Sequence, residues 1–190
     1  MTEIVPNERI VIDASIGLAV MRREPERPAI RAAAQAWAQE GIDLVVPSHF
    51  WAEVVNVLVR RYGMSEPEVI EALATLDGLA IRTVELDRPT LLLALVPMGQ
   101  AGLSAYDALY LALALAIDAR LATLDRRLAS AAGERAIFPG EGNVRRLSER
   151  PPVYEPDPER APAWLRSAAV GAYIAELRRR ASVTVSEGRG

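Results

Sequence analysis

Short β-branched and aliphatic runs punctuate the first two-thirds of the chain, each closed by an acid or a proline. Arg9-Ile10-Val11-Ile12 runs into Asp13, Leu44-Val45-Val46 stops at Pro47, and Ile81-Arg82-Thr83-Val84 ends near Asp87. Leu121-Ala122-Thr123-Leu124 runs into Asp125, and Ala136-Ile137-Phe138 meets Pro139-Gly140. Bounded runs of this kind predict buried strands. Stretches of helical character separate them. Ser48 opens one to about Tyr62, where Gly63 closes it, and Ser65-Glu66-Pro67-Glu68 has the capping-box form that opens another to about Leu79. Asp87-Arg88-Pro89 begins a third, expected to give way to a turn within Pro97–Gly102 before Ser104 opens a fourth to about Ile117. From Ala108 onward that fourth helix is apolar on every side, which predicts deep burial. Strands alternating with helices predict an α/β fold, a parallel sheet of about five short strands with helices on both faces.

The pattern changes near Ser148. Residues 1–147 read as one compact domain. Residues 148–162, from Ser148 through the prolines to Pro162, read as an extended proline-rich linker. Residues 163–182 read as an amphipathic C-terminal helix, with Trp164, Leu165, Ala168, Ala169, Ala172, Ile174 and Leu177 on one broad face. Residues 183–190 read as a disordered tail.

Composition narrows the chemistry. The chain has 190 residues, 51% of them hydrophobic, enough for a real core. It has no cysteine and one histidine, His49, which excludes thiolate sites and paired-histidine zinc sites. All 22 basic residues are arginine. Without lysine there is no Walker A loop and no Schiff-base chemistry. A net charge of −3 excludes a broadly basic nucleic-acid face, so any such contact must be local. Met1–Asn7 lacks the apolar segment of a signal peptide, and the longest uncharged run, Pro89–Tyr106, is too interrupted to span a membrane. The expected address is the cytoplasm.

What remains is carboxylate chemistry. In a doubly wound sheet, sites form beyond the carboxyl ends of the strands. Asp13 and Asp125 follow strands, while Glu53 and Asp107 lie early on helices. Four carboxylates converging on one crevice repel one another unless a divalent cation sits among them. Oxygen donors alone select Mg²⁺ or Mn²⁺. Each acid also has an ordinary reading: Asp13 and Asp125 as helix N-caps, Asp107 completing a capping box with Ser104, Glu53 as a solvated surface acid.

These residues resemble the PIN-domain ribonucleases, and within them the VapC-type toxins of bacterial toxin–antitoxin pairs. Val11-Ile-Asp13-Ala-Ser15 resembles the first motif of that family, and Val46-Pro-Ser-His-Phe-Trp-Ala-Glu53-Val-Val-Asn56 the second. Leu103-Ser-Ala-Tyr-Asp107-Ala-Leu-Tyr resembles the third, and Leu121-Ala-Thr123-Leu-Asp125 the fourth. The four occur in order across roughly Ile10 to Phe138; the segment after Ser148 has no counterpart in the minimal domain. The resemblance implies a three-layer α/β/α PIN fold with a C-terminal helical extension. It implies a metal-dependent endoribonuclease, with Asp13, Glu53, Asp107 and Asp125 holding one or two Mg²⁺ or Mn²⁺. The metal would lower the pKa of a bound water and stabilise charge on the cleaved phosphodiester. Ser15, Asn56 and Thr123 would support the site, or Ser15 and Thr123 would only satisfy nearby backbone groups. The resemblance further implies an RNA substrate, a cognate antitoxin and a homodimer.

Other residues compete for notice. His49 as a general base is weighed against His49 as a packing residue. Asp118 lies too far along its helix from Asp107 to share a metal with it. Arg22-Arg23 with Arg27, Arg60-Arg61 and Arg126-Arg127 are candidates to grip phosphate, or a plain solvated surface. Trp37, Trp51 and Tyr106 are candidates to stack bases, or core and interface residues. Two other functional readings remain. A non-catalytic RNA-binding or protein-interaction module on the same fold would be favoured by a missing acid, and none is missing. A phosphatase or receiver-like domain would want a second aspartate after Asp13 and a lysine, and Asp13-Ala-Ser15 supplies neither.

Overall fold

The computed structural model describes residues 8–21 and 28–139. The expected linker, C-terminal helix and tail (148–162, 163–182 and 183–190) lie outside the described residues, as do Arg22, Arg23 and Arg27. Five parallel strands form one sheet: β1 Arg9–Ile12, β2 Asp43–Pro47, β3 Arg82–Val84, β4 Arg120–Ala122 and β5 Ala136–Ile137. Between β1 and β2 run α1 (Ala14–Met21) and α2 (Pro28–Gln39); α3 (His49–Arg60) and α4 (Glu66–Asp77) follow β2. The helices α5 (Arg88–Ala101) and α6 (Ala105–Ala116) link β3 to β4, and α7 (Arg126–Ala132) precedes a short 3₁₀ turn and β5.

The strand order is β3-β2-β1-β4-β5. The chain therefore winds outward from β1 to β3, then crosses back to place β4 on the other side of β1. Winding reverses between β1 and β4, and in sheets of this kind the crevice opens there, beyond the strands' carboxyl ends. The pairing Ile12↔Ala122 puts Asp13 and Thr123 level with each other, and Asp13 N–H continues the ladder to the Ala122 carbonyl at 3.2 Å.

Buried-strand sequences explain the sheet: Ile10, Val11, Val45, Val46 and Leu121 are fully buried. Helix α6 lies along β1, β2 and β4, and all residues from Ala108 to Leu115 are buried, as its uninterrupted apolar sequence predicts. On the other side α1 packs against α2, α3 and α4. Its approach to α3 is close: a Cβ on Gly17 would lie 2.6 Å from the Phe50 ring.

Helix ends follow the sequence in most places. Ser65 and Glu68 form the capping box, Asp87 accepts from Thr90 N–H, and Gly102 ends α5 in the left-handed region at φ 61°. Two expectations are corrected. Ser48 is itself helical and makes no side-chain cap bond. The expected turn within Pro97–Gly102 is absent until Gly102, because α5 continues through Pro97 to Ala101. Proline's fixed φ is helical, so Pro97 costs one backbone bond rather than the helix, and its buried ring packs in the core.

Candidate active site

Asp13 sits at the β1 terminus, 5% exposed. One carboxylate oxygen accepts the Ser15 hydroxyl at 2.6 Å and Ile16 N–H at 3.1 Å, so Asp13 also caps α1. The other accepts the Thr123 hydroxyl. Both hydroxyls then accept backbone N–H groups from the turn after β4: Leu124 to Ser15 Oγ and Asp125 to Thr123 Oγ1, each at 2.9 Å. Two parallel bridges thus tie Asp13 to the turn carrying Asp125. Ser15 and Thr123 perform the supporting and the backbone-satisfying roles at once. Burial pushes the Asp13 carboxyl up to about 6; the Ser15, Thr123 and Ile16 donors pull it down, and the nearby Glu53 charge adds to the rise.

Glu53 projects from the second turn of α3, half-buried. Tyr110 Oη donates to Glu53 Oε2 at 2.7 Å. Burial raises the Glu53 pKa, the Tyr110 bond lowers it, and the Asp107 charge raises it further. The same pairing, with burial foremost, raises the Tyr110 hydroxyl far above its ordinary value, so it stays a donor. Asp107, in the first turn of α6, accepts the Ser104 hydroxyl at 2.7 Å while its N–H donates back to Ser104 Oγ. Like-charge interaction therefore runs from Asp107 through Glu53 to Asp13.

Asp125 is exposed at the crevice edge and caps α7, one oxygen accepting from Arg127 and Leu128 N–H at 2.7 and 2.9 Å. Asn56 lies exposed on α3 and makes no hydrogen bond to Glu53. The group oriented toward Glu53 is instead Tyr110. Sequence reasoning passed over it, although Tyr110 stands one helical turn after Asp107 and so on the same face of α6.

His49 packs edge-on against Tyr110 (centroids 4.8 Å) and tilted against Tyr106 (5.9 Å). Neither ring nitrogen is accessible or makes a hydrogen bond of normal geometry. Burial pushes its pKa below the ordinary value, against the opposing pull of the Tyr106 backbone and the Asp107 charge. What the structure shows of it is packing against the two tyrosine rings. Arg127 donates to the Gly102 carbonyl at 2.6 Å, and Arg61 stands 5.8 Å from the Tyr62 ring centroid.

Capping does not exhaust these acids, since a carboxylate has about four lone-pair sites. Asp13 spends three on its donors; Glu53 Oε1, Asp107 Oδ1 and Asp125 Oδ2 accept none. The donor set is all oxygen and acidic, which fits a hard divalent cation. Among the described residues, no three of these side chains stand close enough to ligate one ion together.

The PIN-domain family model matches residues 10–134. Among solved structures, VapC20 of Mycobacterium tuberculosis, a toxin that cleaves the sarcin-ricin loop, is 20% identical with a TM-score of 0.52, over 64% of this chain and 94% of that one. PAE2754 of Pyrobaculum aerophilum is 22% identical with a TM-score of 0.50, over 68% of this chain and 82% of that one. At such identities the likeness is one of fold. None of the curated proteins matches the chain.

Proposed function

The chain belongs to the PIN-domain family, and from that premise we propose that it is a divalent-metal-dependent endoribonuclease, the toxin of a toxin–antitoxin pair. The observation that carries this reading is Asp13. Burying a carboxylate this deeply is costly, and two hydroxyls hold it at the point where the winding of the sheet reverses. Structural acids are rarely kept in this way; sites that need charge are.

PIN domains generally use divalent metals. Asp13, Glu53, Asp107 and Asp125 are the residues that would hold Mg²⁺ or Mn²⁺. Mg²⁺ keeps most of its waters and takes one or two carboxylates directly, so it does not require three side chains at joint ligating distance. When bound, the ion would polarise the scissile phosphate and lower the pKa of an attacking water. The chain's own groups do the positioning. Ser15 and Thr123 fix Asp13 and hold the Asp125 turn in register with it. Tyr110 fixes the carboxylate plane of Glu53 through its hydroxyl. Asn56, exposed one turn beyond Glu53, is available to the substrate or to a water.

The fold likeness to VapC20 supports RNA as the substrate and a cognate antitoxin as the partner, and a homodimer is proposed from the family resemblance alone. Among the described residues no helix is long and apolar enough to cross a membrane, and the cytoplasm is the proposed address. The test is cleavage of total RNA by the purified chain with Mg²⁺, Mn²⁺ or EDTA, beside Asp107→Asn. Metal-dependent cutting that the variant loses supports the reading. A folded, metal-binding chain that cuts none of a varied RNA set would be a binding module instead.

A further inference from the structure

Of the three aromatic residues that the sequence offers for stacking, only one is available. Trp37 is 1% exposed in the core, and the Trp51 indole donates to the Thr83 hydroxyl at 2.8 Å with its ring against Phe50. Tyr106 is 63% exposed and its hydroxyl makes no hydrogen bond among the described residues. Lone exposed aromatics are common and mean little by themselves. The position of this one is what matters. It precedes Asp107 in the chain, and its ring adjoins His49, which adjoins Tyr110, whose hydroxyl is on Glu53. A continuous run of rings thus leads from solvent to the carboxylates. With both nitrogens enclosed, His49 presents its ring to Tyr106 and serves as a prop.

We propose that Tyr106, propped on His49, is the platform on which an unpaired nucleobase stacks beside the scissile phosphodiester. The proposal rests on the endoribonuclease reading and adds to it the residue that would hold a base beside the cut. Stacking tolerates any base because every base has a π-face, and a base held in an A-form duplex cannot offer that face. The nearby cations agree. Arg127 ties the start of α7 to the α5–α6 turn, and the neighbouring Arg126 is exposed and makes no ion pair among the described residues, which suits it to meet phosphate. An apolar protein face is the poorer occupant, since it would bury Glu53 and Asp107 without cationic partners. The exposed aliphatic residues that suit such a face are Leu91, Leu92 and Leu95, on α5.

The experiment uses the full chain and a short RNA carrying 2-aminopurine next to its cut site, alone or annealed to its complement. Binding is read by fluorescence in EDTA, cleavage in Mn²⁺. Wild type should quench the single-stranded probe and cut it in preference to the duplex. Tyr106→Ala should lose the quenching and raise KM about tenfold, with a much smaller change in kcat, and Tyr106→Phe should restore both. Equal cutting of single strand and duplex by wild type overturns the proposal and leaves the nuclease standing. So does Tyr106→Ala quenching and cutting like wild type, or changing only the mass of the chain in solution, which would make Tyr106 a protein interface. A wild type that neither binds nor cuts RNA sinks the nuclease reading and this proposal with it.

Discussion

At the N-terminal ends of the strands, acids meet arginines. Arg82 of β3 grips Asp43 of β2 through two nitrogens, at 3.2 and 2.6 Å, with Arg9 of β1 at 4.0 Å from the same carboxylate. Arg120 of β4 stands 3.8 Å from Glu8, and the buried Arg135 reaches Asp118 at 2.9 Å. Beyond the C-terminal ends of the strands, Asp13, Glu53, Asp107 and Asp125 meet hydroxyls and backbone amides, with no ion pair among the described residues. Among the described residues, one edge of the sheet is neutralised from within and the other keeps its negative charge. Unpaired like charges at a topological switch point lower stability, so their retention speaks for chemistry.

The largest effect should come from removing charge where it is most enclosed. Asp13→Asn keeps the shape and one acceptor oxygen, its amide nitrogen donating to the Thr123 hydroxyl where the carboxylate accepted from it, and should cut the cleavage rate on the order of a thousandfold or more. An unchanged far-UV spectrum alongside would show that the fold survives. Cleavage at the wild-type rate would mean that the acidic edge is not the active site.

Next comes the support of Glu53. Tyr110→Phe deletes one hydroxyl and leaves the ring against His49, so packing should hold. Outer-shell losses of this kind typically cost about 10–100-fold in metal affinity or activity. Mn²⁺ binding followed by its electron paramagnetic signal should weaken along with cleavage. Wild-type Mn²⁺ affinity in this variant would make the Tyr110 bond merely structural.

The contrast between the edges was only half legible in the sequence. Acids closing strands, Asp13 and Asp125, could be read because strand ends and charge are both local features. So could the burial of α6, from its unbroken apolar run. The strand order was not, and with it the pairing of Arg82 to Asp43 or Arg120 to Glu8, since those contacts join residues far apart in the chain. Tyr110 was hidden for a related reason: inside an apolar helix a tyrosine reads as core, and only α3 packing opposite gives its hydroxyl a partner. Helix α2 went unannounced although its signal is present: Ile30, Ala33, Ala34 and Trp37 recur at helical spacing and are all buried, and Pro28 marks the start. Pro97 misled because a local breaker was outweighed by the packing of α5 on α6.

A smaller effect should appear in stability against pH. A carboxyl whose folded pKa lies above its unfolded one stabilises the fold while protonated. For Asp13, at about 6 folded against an ordinary 3.8, that contribution is complete below pH 4 and lost as pH rises through 6. Asn at this position does not titrate. Without divalent metal, Asp13→Asn should therefore gain on wild type between pH 4 and pH 7, by on the order of 1–2 kcal/mol in urea or thermal unfolding. Adding Mn²⁺ at pH 7 should then stabilise wild type and not the variant, by mass action. A difference that stays flat with pH would mean that the buried carboxyl ionises without cost.

The smallest effect belongs to the paired edge. Arg82 and Asp43 are both partly open to solvent, with side chains 42% and 26% exposed, so their bidentate contact is worth less than about 1 kcal/mol. Salt should erode that value further. Arg82→Ala leaves Asp43 with Arg9 still near it, so no charge is stranded. The expected result is a slightly lower unfolding midpoint, a loss that shrinks in high salt, and cleavage within about twofold of wild type. The sheet separates the two edges by the length of a strand, and screened charges that far apart couple weakly. If Arg82→Ala instead impaired cleavage as Tyr110→Phe does, strand register rather than local charge would be setting the geometry of the acids. The division of labour between the edges would then be false.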